Sequence, residues 1–203
     1  MKEALLLVDI QNDFLPGGAL AVPDGDAIIP VVNELIPQFD LVLACKDWHP
    51  HDHGSFASQH PGKKPGDIIM FNGLEQILWP DHCVIDTSGA KFAPGLNTNG
   101  IHKIFLKGTD PTIDSYSAFF DNGHGKDTGL GSYFKEMAVE KVFIVGLATD
   151  YCVKFTALDA QELGFKTTVV KQGVRGVELN PGDCNKAFQD MSNKGVEIID
   201  HTT

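Results

Sequence analysis

Short apolar runs alternate with amphipathic segments along much of the chain. The apolar runs are rich in valine, isoleucine, leucine and phenylalanine, which is typical of strands buried on both faces of a sheet. They predict strands at residues 4–8, 41–46, 103–106, 142–146, 166–171 and 196–200. The amphipathic segments predict helices at about residues 26–39, 130–138 and 181–194. A further helix is predicted to begin at a cap on Thr149 or Asp150 and to end at Gly164.

Two regions lack this pattern. Residues from about 50 to 100 show no strong periodicity, apart from residues 74–78, which predict a short turn of helix. A second polar and glycine-rich region follows the third predicted strand and reaches about residue 129. Long connections without regular structure in a compact domain are usually functional, so we expect these regions to contribute to a site.

Strands that alternate with helices predict an α/β fold. We expect a doubly wound, mainly parallel six-stranded sheet with helices on both faces, in one domain that spans residues 1–203. In such a sheet the carboxyl ends of the strands share one edge, and ligands bind there in open α/β folds.

Polar side chains stand just past the ends of four predicted strands. Asp9, Asp47 and Lys107 each follow a strand directly, and a short turn before Cys152 follows a fourth. Taken one at a time, these residues have ordinary alternatives: a turn cap, a loop residue, a solvated lysine and a small core residue. Their convergence on one sheet edge favours a shared site.

Asp9, Lys107 and Cys152 offer a base, a cation and a nucleophile. Cys152 lies in the first turn of a predicted helix, where free N–H groups favour a thiolate. Proton transfer from a free cysteine (pKa about 8.5) to an ordinary aspartate (about 3.9) costs roughly 6 kcal/mol. We therefore expect burial to raise the pKa of Asp9, and Lys107 and the helix terminus to lower the pKa of Cys152. The thiolate would attack an amide carbonyl, and the N–H groups near Ala148 and Cys152 would bind the oxyanion.

Aspartate and histidine are concentrated in two further stretches, Asp47-Trp-His-Pro-His-Asp-His53 and Trp79-Pro-Asp-His-Cys83. Residues two apart in an extended segment point the same way, so Asp47 and His49 can bind one ion, with His82 as a third ligand. This donor set suits zinc, iron or manganese. His53 is either a fourth ligand or the partner of a ligand. The alternative is that these are exposed loop histidines.

The composition narrows the choice of partner and compartment. A formal net charge of −11 argues against a nucleic acid or an anionic membrane as partner, and it is compatible with a small neutral substrate. The apolar run at the N-terminus is too short for a signal peptide or a membrane span. Four cysteines without a paired motif favour a reducing compartment, so a cytoplasmic location is expected.

Five motifs resemble those of the nicotinamidases, within the isochorismatase-like cysteine hydrolases. The likeness covers nearly the whole chain, and the second and third motifs are the more specific because many relatives lack a metal site. The motifs are Val8-Asp-Ile-Gln-Asn-Asp-Phe14, Lys46-Asp-Trp-His-Pro50, Trp79-Pro-Asp-His-Cys83, Lys107-Gly-Thr-Asp110 with Ser115-Tyr-Ser117, and Gly146-Leu-Ala-Thr-Asp-Tyr-Cys-Val153.

The resemblance implies a reaction and a fold. The reaction is hydrolysis of nicotinamide to nicotinate and ammonia for NAD salvage, with pyrazinamide as an alternative substrate. The fold is a Rossmann-like arrangement of three layers. The resemblance also implies a cis peptide bond between Leu147 and Ala148.

The resemblance implies roles for individual residues as well. It assigns the catalytic triad to Asp9, Lys107 and Cys152. A metal that holds the pyridine nitrogen would be bound by Asp47, His49 and His82, with His53 near a further ligand of some members. The positions that enclose the ring match Phe14, Leu20, Trp79 and Tyr116.

Other functions stay open from the sequence. One is a different amide or carbamoyl hydrolase of the same superfamily, and another is a non-catalytic metal- or ligand-binding protein on the same fold. Zinc is the first expectation for the metal, with iron and manganese as alternatives. The oligomeric state, a homo-oligomer included, is not fixed by the sequence.

Overall fold

The computed structural model describes residues 1–201. Its strands form a six-stranded sheet and a separate two-stranded hairpin. In chain order the strands are β1 (Glu3–Val8), β2 (Val42–Asp47), β3 (Ile68–Phe71), β4 (Leu74–Ile77), β5 (Lys103–Lys107), β6 (Lys141–Leu147), β7 (Lys166–Arg175) and β8 (Glu197–Ile199). The large sheet has the order β5-β2-β1-β6-β7-β8, and all its strand pairs are parallel.

Helices cover both faces of this sheet. They are α1 (Ile28–Leu35), α2 (Leu130–Glu136), α3 (Lys154–Glu162) and α4 (Asp183–Asn193). Successive side chains of a strand point to opposite faces, so Leu5 and Leu7 pack on the α1 side, and Leu6 and Val8 pack on the side of the other three helices. The predicted doubly wound fold with a parallel sheet is confirmed.

The strand order reverses between β1 and β6. The chain proceeds from β1 through β2 to β5 on one side, then returns to β6 beside β1 and continues outward to β8. Such a reversal leaves a crevice at the carboxyl ends of the two central strands. Asp9 follows β1 and the turn with Cys152 follows β6, so this crevice is where the predicted site lies.

The prediction of a helical turn at residues 74–78 is wrong. These residues belong to an antiparallel hairpin in which β3 pairs with β4. The two-residue turn is Asn72-Gly73, and both residues have a positive φ, of 49° and 86°. An Asn-Gly pair is a strong signal for this type of hairpin turn, and it outweighs the weak helical spacing of the residues that follow.

Other elements differ from expectation at their ends. The helix expected at residues 26–39 is α only in α1, with a 3-10 turn on each side, and Pro37 lies in the second of these turns. Strand β7 runs four residues beyond its predicted end, to Arg175. No helix within residues 1–201 has the length and apolarity needed to cross a membrane.

Candidate active site

The ends of three strands bring Asp9, Lys107 and Cys152 into contact. The Lys107 Nζ lies 2.8 Å from Asp9 Oδ2 and 3.3 Å from Cys152 Sγ. A carboxylate oxygen of Asp9 lies within 4.8 Å of the Cys152 sulfur. All three residues are buried, with 0%, 2% and 6% of their surfaces exposed. Residues from distant parts of the sequence thus surround one sulfur atom.

Lys107 is the electrostatic centre of this group. Besides Asp9 and Cys152, its ammonium contacts Asp47 Oδ1 at 2.5 Å and donates to the Ser115 carbonyl at 2.9 Å. Burial alone would lower the pKa of Lys107, but the Asp47 and Asp9 carboxylates outweigh burial and hold this pKa well above its usual value. Lys107 is therefore a permanent cation that compensates two buried anions.

The pKa values of Asp9 and Cys152 are both raised. Burial raises the pKa of Asp9 to about 6, against the opposing effect of Lys107. Burial also raises the pKa of the Cys152 thiol well above its usual value, and Lys107 opposes this only in part. The expected rise for Asp9 is found, whereas the expected fall for Cys152 is wrong because desolvation of a fully buried thiolate outweighs one nearby cation. At rest the sulfur is therefore a thiol.

The turn that carries Cys152 is not a regular helix start. Residues Thr149–Val153 form a π turn ahead of α3, and neither Thr149 nor Asp150 caps the helix with its side chain. The N–H groups of Tyr151 and Val153 both donate to the Ala148 carbonyl, at 3.1 and 3.0 Å. The peptide bond between Leu147 and Ala148 is cis, as the resemblance implies.

A pocket that Cys152 helps to line opens at the carboxyl ends of β1 and β6. Both residues expected to supply oxyanion N–H groups, Ala148 and Cys152, lie on its wall. The four residues expected to enclose a ring are placed on it as well: Phe14, Leu20, Trp79 and Tyr116. The sequence did not single out three more wall residues, Asp114, Tyr151 and Val177. A mostly apolar wall with a few polar groups suits a small aromatic ligand.

Asp47, His49 and His82 form a buried cluster next to this cavity. Each offers one ligand atom, and these atoms all lie within 4.8 Å of one another. Asp47 Oδ2 is 3.6 Å from the Nε2 atoms of both histidines. The Nδ1 atoms lie 2.9 and 2.8 Å from the carbonyl oxygens of Gly108 and Pro80. Because a carbonyl only accepts, Nδ1 carries the proton and both Nε2 lone pairs face the centre of the cluster.

His53 extends the cluster. Its Nδ1 lies 2.7 Å from Ser55 Oγ, and its Nε2 is buried and has no hydrogen-bond partner among residues 1–201. Burial lowers the pKa of His53 to about 4, so the ring is neutral near pH 7. The ring centroid lies 4.3 Å from that of His49. The His53 Nδ1 also accepts the Ser55 N–H at 3.2 Å, so in the neutral ring the proton lies on Nε2. The ligand atom of His53 lies within 4.8 Å of those of His49 and Asp114, so His53 stands next to the three-residue cluster through His49.

The structure adds two supporting residues that the sequence interpretation missed. Gln11 is fully buried, and its side chain pairs with the backbone of Asp47 through two hydrogen bonds of 2.8 Å. Cys45, which the sequence suggests is only a packing residue, donates its thiol proton to Asp9 Oδ1 at 3.3 Å. Alternation along β2 puts Cys45 and Asp47 on the same side, and this was the available signal for Cys45.

Comparison with known proteins places the chain in a family. The family model described as "Isochorismatase domain" matches residues 3–203. A nicotinamidase of Escherichia coli (strain K12) is 49% identical over 199 residues, which cover 96% of this chain and 93% of that protein. The structure of a nicotinamidase and pyrazinamidase of Acinetobacter baumanii is 47% identical, with a TM-score of 0.95 and coverage of 98% and 95%.

A third relative bears on the metal. The structure of a pyrazinamidase of Pyrococcus horikoshii in complex with zinc is 38% identical to this chain, with a TM-score of 0.79 and coverage of 98% and 99%. Together with the cluster of buried ligand atoms, this relative supports a divalent metal site. The chain therefore belongs to the isochorismatase-domain family and, within it, to the nicotinamidases.

Proposed function

We propose that the chain hydrolyses nicotinamide to nicotinate and ammonia through a thioester on Cys152, and that it also accepts pyrazinamide. The observation that carries this proposal is the contact of Asp9, Lys107 and Cys152 at the wall of a cavity that also borders the Asp47, His49 and His82 cluster. In the cell this reaction serves NAD salvage. The four free cysteines support the accompanying proposal of a cytoplasmic location.

Asp9 is the proton carrier of the first half of the reaction. It accepts the thiol proton of Cys152 as the sulfur attacks the carboxamide carbon, and the N–H groups at Ala148 and Cys152 stabilise the oxyanion. Asp9 then gives this proton to the departing nitrogen, so the C–N bond breaks and ammonia leaves. Lys107 stabilises the thiolate while the sulfur–carbon bond forms.

The Asp9 carboxylate also acts in the second half of the reaction, the hydrolysis of the thioester. Asp9 takes a proton from a water molecule, and the resulting hydroxide attacks the thioester carbon. The carbon–sulfur bond breaks, nicotinate is released and the proton on Asp9 returns to the Cys152 sulfur. The sum is one amide and one water converted to one acid and one ammonia.

Asp47, His49 and His82 would hold a divalent metal, with His53 either as a further ligand or as the partner of a ligand, and with zinc as the first expectation. When bound, the metal supplies a Lewis acid for the pyridine nitrogen and so orients the ring rather than generating a hydroxide. The inward Nε2 lone pairs of His49 and His82 support this assignment.

Metal removal is expected to weaken the binding of nicotinamide selectively. An anchor on the ring nitrogen acts alike in the ground and transition states, so stripping the metal should raise KM about 10- to 100-fold and change kcat less. Benzamide is the matched control because it lacks the ring nitrogen. The measurement is steady-state ammonia release from both amides, with metal content followed by elemental analysis and zinc added back. Equal effects on the two amides, or unchanged KM for nicotinamide, would contradict the anchoring role.

The pKa of Asp9 predicts an acid limb in the rate profile. Asp9 must be ionised to accept the thiol proton, and its ionised fraction falls as pH drops through its raised pKa of about 6. We expect kcat/KM for nicotinamide to fall about tenfold per pH unit below that value and to level off above it. The profile should be recorded at saturating zinc, so that protonation of the histidine ligands does not contribute. A limb near pH 3.9, the value of an ordinary aspartate, would contradict this role.

A further inference from the structure

The segment between β7 and α4, residues 176–182, contributes one wall residue to the cavity, Val177. The rest of this β7–α4 segment is poorly buried: residues 178–182 are all exposed, and Leu179 has 46% of its surface exposed. A segment with so little buried apolar surface needs another means to hold its wall residue in place.

Asp150 supplies that means. Its carboxylate accepts the N–H of Val177 on Oδ1 at 3.0 Å and the N–H of Glu178 on Oδ2 at 2.8 Å. Asp150 has only 8% of its surface exposed, and its carboxylate binds this segment instead of capping α3. Hydrogen bonds from two N–H groups to one buried carboxylate are strong and directional. Because Asp150 precedes Cys152 by two residues in the same π turn, it links Val177 to the turn that bears the nucleophile.

The approach of the segment to Asp150 is close. A Cβ added at Gly176 would lie 2.0 Å from Cys184 Sγ and 3.0 Å from Asp150 Oδ1. A side chain at this position would meet the Cys184 sulfur first and the Asp150 carboxylate next, so the segment could not keep its present contact with Asp150 without a shift. The far end of the segment has a different support, since Asp183 accepts the Asn180 N–H at 2.9 Å.

We infer that Asp150 is a positioning residue for the substrate: it fixes Val177 relative to the Cys152 turn and so sets how closely the cavity fits the pyridine ring. This inference rests on the proposed hydrolysis of nicotinamide. Asp150 itself is not on the cavity wall and acts only through the β7–α4 segment. Loss of the anchor should loosen the fit to the ring and leave the chemistry at the sulfur in place.

The test is a double-mutant cycle on nicotinamide kinetics. Asp150→Asn puts an amide in place of a carboxylate that accepts two N–H groups, so at least one of the two bonds is lost. We expect KM to rise about 10-fold and kcat to change less than about 3-fold. Val177→Ala should raise KM similarly, and the double variant should be no worse than the more severe single variant, because both act on one contact. Asp183→Asn, the same substitution at the far end of the segment, is the control and should leave KM within about 2-fold.

Kinetics with larger substrates distinguish a positioning role of Asp150 from a general contribution to stability. The substrates are nicotinamides with a methyl group at each ring carbon in turn. In Asp150→Asn and Val177→Ala, kcat/KM for at least one of them should rise relative to kcat/KM for nicotinamide. The ring carbon that carries this methyl group should be the same in both variants. Gly176→Ala perturbs the same contact from the other side and should reproduce this change, so the inference stays testable if Asp150→Asn does not fold. A fall in kcat at unchanged KM, or additive effects in the double variant, would overturn the inference while wild type remains active. An inactive wild type would instead overturn the proposed function.

Discussion

The Cys152→Ala variant is expected to release no measurable ammonia from nicotinamide, with kcat lowered roughly 10⁴-fold or more. In the proposed mechanism Cys152 supplies the atom that bonds to the substrate carbon, and the loss of a catalytic nucleophile lowers kcat by several orders of magnitude. The side chain is small and 6% exposed, so truncation by one sulfur should leave the fold intact. Ammonia release at saturating nicotinamide and zinc, together with thermal unfolding, measures both properties.

Cys184→Ala is the matched control for this loss. Cys184 is a free cysteine on α4 that does not line the cavity, so its removal should leave kcat close to that of the wild type. Retention of wild-type activity in Cys152→Ala would eliminate sulfur as the nucleophile and, with it, the thioester route.

The Lys107→Met variant is expected to lose both stability and activity. Methionine keeps an unbranched apolar stem but removes the charge that compensates Asp9 and Asp47, both of which are buried. Breaking a buried ion pair from one side costs about 3–5 kcal/mol in the free energy of unfolding. For a chain of this size, a loss of 1 kcal/mol lowers the melting temperature by about 2–4 °C. Loss of the thiolate-stabilising cation should also lower kcat roughly 10²- to 10³-fold.

The stability measurement should use metal-free protein, because a bound metal would neutralise the negative charge of Asp47 when the lysine is absent. Denaturant unfolding of wild type and variant in a chelator gives the difference directly. Lys154→Met is the control: Lys154 pairs with Asp190 at 2.8 Å on the surface, where such a pair contributes about 0–1 kcal/mol. A loss of less than about 1 kcal/mol in Lys107→Met would show that the lysine does not carry the buried charge balance described above.

Most of the fold follows from the hydrophobic pattern of the chain. Residues 4–8 and 142–146 are apolar without interruption, and this is sufficient to identify strands covered on both faces. The hairpin at residues 68–77 was missed because its alternation is short and its outer residues Ile68 and Met70 are exposed apolar side chains. Its decisive signal was local, the Asn72-Gly73 turn.

The site was predictable to the extent that it consists of strand ends. Asp9, Asp47 and Lys107 could be grouped because parallel strands finish at one edge. Gln11 and Asp150 could not be found in this way, since each acts on the backbone of a residue far away in the sequence. The pKa of Cys152 was misjudged for a related reason: helix position is visible in the sequence, whereas complete burial of the sulfur is visible only in three dimensions.

The position of the site at the strand-order reversal explains why the proposed nucleophile and the candidate metal ligands lie close together. β1 and β6 are neighbours and deliver Asp9 and Cys152, and β2 and β5 on the β1 side deliver Asp47 and Lys107. Atoms of Asp9, Asp47 and Cys152 all lie within 4.8 Å of one another, so the carboxylate proposed to bind a metal lies beside the proposed nucleophile. A ring held at the cluster therefore lies within reach of the thiol.

A covalent intermediate on Cys152 is the central claim, and the partition of product with hydroxylamine tests it most directly. A thioester reacts with hydroxylamine to give nicotinohydroxamate and with water to give nicotinate. If nicotinamide and methyl nicotinate pass through the same acyl-enzyme, the ratio of hydroxamate to nicotinate at one hydroxylamine concentration must be equal for both, whatever the leaving group. After subtraction of the hydroxamate formed without protein, we expect equal ratios for the wild type and no hydroxamate from Cys152→Ala. A ratio that depends on the leaving group, or hydroxamate above this background from Cys152→Ala, would contradict the account.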